Sequence, residues 1–174
     1  YKTLKTVPKE QLAWVIPSPQ KHEFKGEYRT PSALNFNLDS FEMDVNFISE
    51  RLQEGLTITV DSENNLDNNI SVIQNNSLGR EAYRLQISED KIRIEASHST
   101  GVFYAFESLH QILLIAQNEE KGWPIITIED APRFENRGFM SDVARNFYPK
   151  EKLFQILDYM ALYKLNRFDL KLTD

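Results

Sequence analysis

YRLQISEDKIRIEASHSTGVFYAFESLHQILLIAQ, residues 83–117, contains two strands and a helix in one uninterrupted run. Tyr83, Leu85 and Ile87 alternate with Arg84 and Gln86, and Ile92 and Ile94 alternate with Arg93 and Glu95. Alternation of period two sends apolar side chains to one face of a strand and polar ones to the other. The short polar connection at 88–91 joins the two as a hairpin. From Ser99 to Gln117 the period becomes helical. Val102, Phe106, Leu109, Leu113 and Ala116 form the stripe, flanked by Phe103, Ile112 and Leu114. A one-sided hairpin followed by a helix with a wide apolar stripe buries both by stacking one on the other.

Toward the N-terminus the same pattern continues. Leu56, Ile58 and Val60 alternate with Thr57 and Thr59, and the Asn-rich stretch 64–69 precedes a strand from Ile70 to Ile73. Asp39 and Glu42 predict a capping box for a helix carrying Phe41, Val45, Ile48 and Leu52, with Gly55 to end it. Leu34, Phe36 and Leu38 alternate with Asn35 and Asn37 as a further strand. Residues 11–38 otherwise read as short extended pieces broken by Pro17, Pro19, Gly26 and Pro31. The predicted fold class is α+β, a two-layer mixed β-sheet with helices on one face, over residues 1–130.

Toward the C-terminus the rhythm changes after a polar loop, the short strand PIITIED and the linker APRF. Residues 131–174 are expected to form a second unit. Gly138 to Val143 reads as a strand, and a helix starts near Pro149, a favoured first-turn residue. Leu153, Ile156, Leu157, Met160 and Ala161 supply that helix's apolar face, and Asn166 to Thr173 is a second strand. Strand–helix–strand is one βαβ unit, the repeat of parallel sheets and (β/α)₈ barrels.

Composition narrows the chemistry. The 174 residues hold 26 acidic and 20 basic side chains, for a net charge of −6, and no cysteine. No thiol catalysis, disulfide or cysteine-ligated metal is available. A dominant basic face for nucleic acid is not expected, and no apolar run reaches the roughly 20 residues of a membrane span. His22, His98 and His110 have no spacing that makes a metal triad, so no metal or cofactor is expected. The sequons at Asn69 and Asn75 are chance-level matches in an Asn-rich region. The chain opens YKTLKTVPKEQ, without methionine or a signal-peptide pattern, so residues upstream are expected to have been removed.

Residues 132–174 (PRFENRGFMSDVARNFYPKEKLFQILDYMALYKLNRFDLKLTD) resemble the opening of the catalytic barrel of family 20 glycoside hydrolases, the β-N-acetylhexosaminidases. The resemblance rests on Pro132, Arg133, Phe134, Arg137, Gly138, Asp142, Arg145, Phe147 and Pro149. It continues through Met160, Ala161, Lys164, Leu165, Asn166, Phe168, Leu172, Thr173 and Asp174. Residues 83–130 resemble the α/β domain that precedes that barrel, through Gly101, Phe103, Ala105, Ser108, Leu109 and Gln111. Residues 1–82 match only in the order of their elements.

The resemblance implies an exo-acting enzyme that removes terminal β-linked N-acetylglucosamine or N-acetylgalactosamine by substrate-assisted, retaining hydrolysis. It implies that the catalytic Asp-Glu pair lies on a later barrel strand, beyond this chain, so no catalytic residue is assigned within it. Arg145 corresponds to the arginine that grips sugar hydroxyls, a task suited to the rigid donor fork of a guanidinium. Asp174 corresponds to the first aspartate of the family's Asp pair, which supports the catalytic Glu through a histidine. Arg133 and Arg137 are expected in interdomain or barrel-base ion pairs. Three departures stand out. Asn146 occupies a position usually held by His, and Asp169 and Lys171 flank Leu170 where the family carries His-Trp-His. The expected partners are β-linked N-acetylhexosamine glycans, and exposed barrel strands offer a route to homo-oligomers. A periplasmic, cell-surface or secreted location follows from the resemblance alone. A non-catalytic carbohydrate-recognition or interaction module derived from such an enzyme is the alternative, with the altered FDLK strand in its favour.

Overall fold

The structure, a computed structural model, describes residues 15–28, 33–36, 38, 40–61, 69–89, 91–118 and 122–173. The elements in chain order are β1 (Lys21–Tyr28), β2 (Ala33–Asn35), α1 (Val45–Gln53), β3 (Thr59–Asp61), β4 (Ile70–Gln74) and β5 (Tyr83–Ile87). They continue with β6 (Ile92–Ala96), α2 (Ser99–Asn118), β7 (Trp123–Asp130), β8 (Gly138–Asp142), α3 (Lys150–Leu162) and β9 (Arg167–Lys171).

The quoted hairpin is the middle of a five-stranded sheet of order β1-β7-β5-β6-β4. All neighbours are antiparallel except β4 and β6, which run parallel, so the sheet is mixed. Leu85 pairs with Ile94 on one side and Ile128 on the other, placing three fully buried side chains in one row. Ile87, Ile92, Ile126 and Ile70 make a second buried row. Helix α2 covers these rows with Val102, Ala105, Phe106, Leu109, Ile112, Leu113 and Ala116, all buried. Its first turn comes so close to the sheet that a Cβ at Gly101 would stand 2.5 Å from the Ala82 carbonyl oxygen and 3.1 Å from the Ala96 Cβ. That contact distance explains glycine in the first turn, where any other residue would push the helix off the sheet.

The opposite face of the sheet carries charge. Arg93 reaches Glu95 at 2.8 Å, Arg84 reaches Glu95 at 3.6 Å and Glu129 at 2.9 Å, and Asn75 donates to Glu95 at 2.8 Å. The Asn75 hydrogen bond, with the neighbouring guanidiniums, holds the Glu95 carboxyl below its ordinary value against a smaller opposing effect of burial.

Helix α1 differs from the sequence expectation at its start. It begins at Val45, capped by Asp44, whose Oδ1 accepts from the Asn46 and Phe47 amides at 3.0 and 3.2 Å. Asp44 meets two free first-turn donors at once, and this moves the start downstream of Glu42; Asp39 lies outside the described residues. Gly55, at φ +74°, follows the helix as expected. The helix packs on α2 and β3 through buried Ile48 and Leu52. Arg51 Nε meets Glu107 Oε1 at 2.8 Å, with the two side chains 14% and 1% exposed. His110 Nε2 donates to the Glu54 carbonyl at 2.6 Å.

Two further strand expectations change in extent. Leu34, Phe36 and Leu38 are buried, but among the described residues of this segment only Ala33–Asn35 pairs, in parallel with the equally short β3. Gly26 does not break the chain as the sequence suggested. β1 runs through it, and the register shift between Phe24 and Gly26 is a bulge that uses the residue's φ of +144°.

The second unit is a βαβ. β8 and β9 pair in parallel from Gly138↔Arg167 to Asp142↔Lys171, with α3 between them in sequence. Pro149 is the N-cap of α3 rather than its first helical residue. Of the expected apolar face of α3, Met160 is buried, Leu153, Ile156 and Ala161 are half-buried and Leu157 is exposed, as is the neighbouring Phe154. Phe139, Met140, Leu170 and Leu172 on and beside the two strands are also exposed.

Candidate functional site

The sequence-derived site lies where β8 and β9 end. Asp142 closes β8 and is the register partner of Lys171, which closes β9. The Asp142 Oδ1 accepts from the backbone amides of Ala144 and Arg145 at 3.1 and 3.2 Å, fixing the turn that leaves the strand. Its Oδ2 faces two cations, Lys171 Nζ at 3.3 Å and Arg145 Nε at 3.6 Å. The Arg145 side chain is 73% exposed, so it leans on Asp142 while most of its guanidinium faces solvent. Of the departures named above, Lys171 supplies a charge to Asp142, Asp169 pairs with Arg167 at 3.1 Å, and Asn146 is exposed. Asp174 lies outside the described residues. Arg145 and Asp142 therefore stand together, and Lys171 joins them by strand pairing. Among the described residues no three His, Asp or Glu side chains converge to hold a metal ion.

A second cluster, absent from the sequence-derived site, sits at the opposite ends of the same strands. Lys164 follows α3, is 6% exposed, and places Nζ 2.9 Å from Asp130 Oδ2 and 2.7 Å from the Tyr83 hydroxyl. The Tyr83 hydroxyl lies 2.6 Å from Ser108 Oγ and 3.0 Å from Asp130 Oδ2. Burial lowers the Lys164 ammonium from its ordinary value, with Asp130 acting in opposition. Burial and the Asp130 charge push the Tyr83 hydroxyl well up. Arg137, just before β8, bonds Glu81 at 3.0 Å and the Tyr104 hydroxyl at 3.2 Å. It is thus the ion pair between units that the sequence suggested. Arg133 is exposed, with no acidic partner within ion-pair distance among the described residues, because the linker around it runs over the surface. A cavity of about 380 Å³ opens between the units beside Glu81, Tyr104, Arg137 and Lys164, and Arg145 does not line it. The one sequence signal for this cluster was the presence of Arg137, Lys164 and Asn166 in the barrel-opening motif.

Comparison with known proteins separates the chain at the same linker. Residues 13–131 match the family model described as glycosyl hydrolase family 20, domain 2, and residues 134–174 match glycosyl hydrolase family 20, catalytic domain. The chain belongs to glycosyl hydrolase family 20. Among its relatives is an N,N'-diacetylchitobiase of Vibrio harveyi, 35% identical over 166 residues that cover 92% of this chain and 18% of that protein. Beta-hexosaminidase B of Pseudoalteromonas piscicida is 33% identical over 161 residues, covering 92% and 20%. A family 20 exo β-N-acetylglucosaminidase structure from Vibrio harveyi superimposes with a TM-score of 0.79 at 30% identity, over 93% of this chain and 26% of that one. The family 20 chain thus spans about a fifth of the length of the curated relatives it matches. Its α+β sheet unit and the βαβ that follows are the domain 2 fold and the start of the catalytic domain.

Proposed function

We propose that this chain is the front part of an exo-acting β-N-acetylhexosaminidase, with residues 1–130 as its accessory domain and 131–174 as the opening of a (β/α)₈ catalytic barrel. The observation that carries this reading is Arg145. It sits in the family motif, at the C-terminal end of a parallel strand, where barrel enzymes gather their chemistry, with Asp142 organising the turn beneath it. A guanidinium there grips vicinal hydroxyls of a terminal N-acetylhexosamine with its parallel donors. Asp142 fixes the turn backbone, and Lys171 lies 3.3 Å from its Oδ2 and offsets its charge. Asp174 is assigned the family role of supporting the catalytic Glu through a histidine. The sugar's own acetamide oxygen acts as nucleophile, so the Asp-Glu pair has to orient an amide and protonate a leaving group. That pair is assigned to residues outside these 174. The exposed apolar faces of α3, β8 and β9 are assigned to contacts with further barrel units, and a periplasmic, cell-surface or secreted location accords with glycan substrates.

The test is Arg145→Ala in the protein that carries the whole barrel, with a chromogenic N-acetylglucosaminide. Loss of one or two charge-assisted hydrogen bonds, about 1.5–3 kcal/mol, lowers kcat/KM by about 10- to 100-fold. Unchanged kcat/KM would remove the arginine from the site. The 174-residue chain alone is expected to give no turnover, and activity that follows the pure protein overturns the assignment of the acid pair. The replacement of two motif histidines by Asp169 and Lys171 favours one other reading, a recognition module without hydrolysis. Binding of N-acetylglucosamine oligomers with no turnover by the longer protein would select it.

A further inference from the structure

The β8–α3–β9 unit meets the sheet unit at one end of its strands, and a set of side-chain hydrogen bonds and ion pairs crosses that junction. Arg137 ties the two strand starts together. Its carbonyl accepts from the Asn166 and Arg167 amides at 2.9 and 3.3 Å, its amide donates to Asn166 Oδ1 at 3.0 Å, and its Nε donates to the Lys164 carbonyl at 2.8 Å. The same guanidinium reaches Glu81 and Tyr104 in the sheet unit. Asn166 adds a bond to Glu81 at 3.3 Å. Gln111 donates to the Leu162 carbonyl at 2.9 Å and Arg51 to the Asp158 carbonyl at 3.1 Å, so α1 and α2 serve carbonyls near the end of α3.

Lys164 is the informative member. The Leu165 amide bonds the Met160 carbonyl at 2.7 Å and the Lys164 amide bonds the Ala161 carbonyl at 2.9 Å. This is the Schellman closure, whose left-handed position glycine normally fills. Here a lysine fills it at φ +57°, a conformation that costs a residue with a Cβ free energy. Local helix capping would be better served by glycine. The side chain, aimed into the sheet unit at Asp130 and Tyr83, is what a lysine adds.

We propose that Lys164 and Arg137 are positioning residues through which the sheet unit sets where β8 and β9 begin, and thereby where the strands deliver Arg145 at their far end. Five residues per strand at about 3.3 Å each carry the placement across the unit. The mechanical part stands on the geometry above; its consequence for sugar binding rests on the proposed role of Arg145.

The test is Lys164→Gly in the 174-residue chain, followed by amide hydrogen exchange. Glycine suits the backbone conformation, so a residue that merely ended the helix would become neutral or protective when replaced. The expected result is exchange about 10- to 100-fold faster in β8 and β9, including the Val143 amide that bonds the Lys171 carbonyl at 3.1 Å, with Leu85, Ile94 and Ile128 within about threefold of the parent. The Arg145 Nε–H resonance shifts as well. Unchanged or slower exchange at Val143 overturns the proposal, as does equal acceleration in the sheet unit. Glu81→Gln, at a partly exposed turn and nearly isosteric, provides a second arm. It is expected to speed Val143 exchange several-fold, and no change there counts against the proposal. Neither arm depends on sugar binding, whereas Arg145→Ala reads the proposed function without touching the junction.

Discussion

Arg51→Met breaks a buried ion pair of the helical layer, together with the arginine's more exposed contacts to Glu54 and Asp158. Glu107 lies in the middle of α2 with its side chain 1% exposed, and Arg51 Nε at 2.8 Å is its partner. Methionine keeps the length of the arginine stem, so the loss is electrostatic rather than a cavity. Removing one member of a buried pair leaves the other charge unpaired, which costs about 3–5 kcal/mol. Against a typical domain stability of about 5–15 kcal/mol that is a large fraction. For a chain of this size each kcal/mol moves Tm by about 2–4 °C, so Tm falls by about 6–20 °C. With a urea m value near 2 kcal/mol/M the midpoint falls by about 1.5–2.5 M. Circular dichroism at the helical minimum during urea titration measures this directly. Arg51→Met with Glu107→Leu removes both charges and is expected to recover most of the loss. A single variant that loses under about 1 kcal/mol, or a double variant no better than the single, would refute the reasoning, because both require the stranded Glu107 charge to be the source of the cost.

Gly101→Ala places a Cβ against the Ala82 carbonyl oxygen; despite alanine's better helix propensity it is expected to destabilise by about 1–3 kcal/mol, and a raised Tm would contradict the close approach. Glu95 has a folded-state pKa below its ordinary value, so its contribution is present above that ordinary value and disappears as pH falls through the folded-state value. Urea midpoints between about pH 2 and 6 should therefore fall less steeply toward acid in Glu95→Gln than in the parent; parallel curves would count against the hydrogen-bonded carboxylate. Asp142→Ala removes the acceptor of two turn amides, and Ala144 and Arg145 are expected to exchange about tenfold faster with a global Tm change of only a few degrees; unchanged exchange would show that the turn holds itself.

What could be read from the sequence is what short-range periodicity encodes. The Tyr83–Ala96 hairpin and α2 have uninterrupted patterns, and the pairing of the hairpin's two strands and the buried faces follow. β1 was obscured because a glycine looks the same in sequence whether it breaks a strand or bulges it, and pairing with β7, a hundred residues away, decides between them. The start of α1 was misplaced because Asp39 and Asp44 are equally good caps in isolation, and only the turn at Phe41–Met43 selects the second. At the candidate site, Arg145 was legible from its motif, but the Lys171–Asp142 contact depends on strand register, which residues 138–174 reveal only after pairing. The Lys164 cluster draws on Tyr83, Ser108, Asp130 and Lys164 from four separate segments, so no local pattern announces it.

The charged outer face of the five-stranded sheet bears on how the chain reaches this fold. A one-residue slip of β5 against β6 would turn Leu85 and Ile87 out to water, so apolar burial alone forbids it. A two-residue slip keeps the apolar rows inward and escapes that penalty. In one direction it sets Arg84 opposite Arg93 in place of Glu95, and like charges directly across a strand pair repel. The ladder thus also acts during assembly, as a proofreading key that rejects a misalignment the hydrophobic core cannot detect.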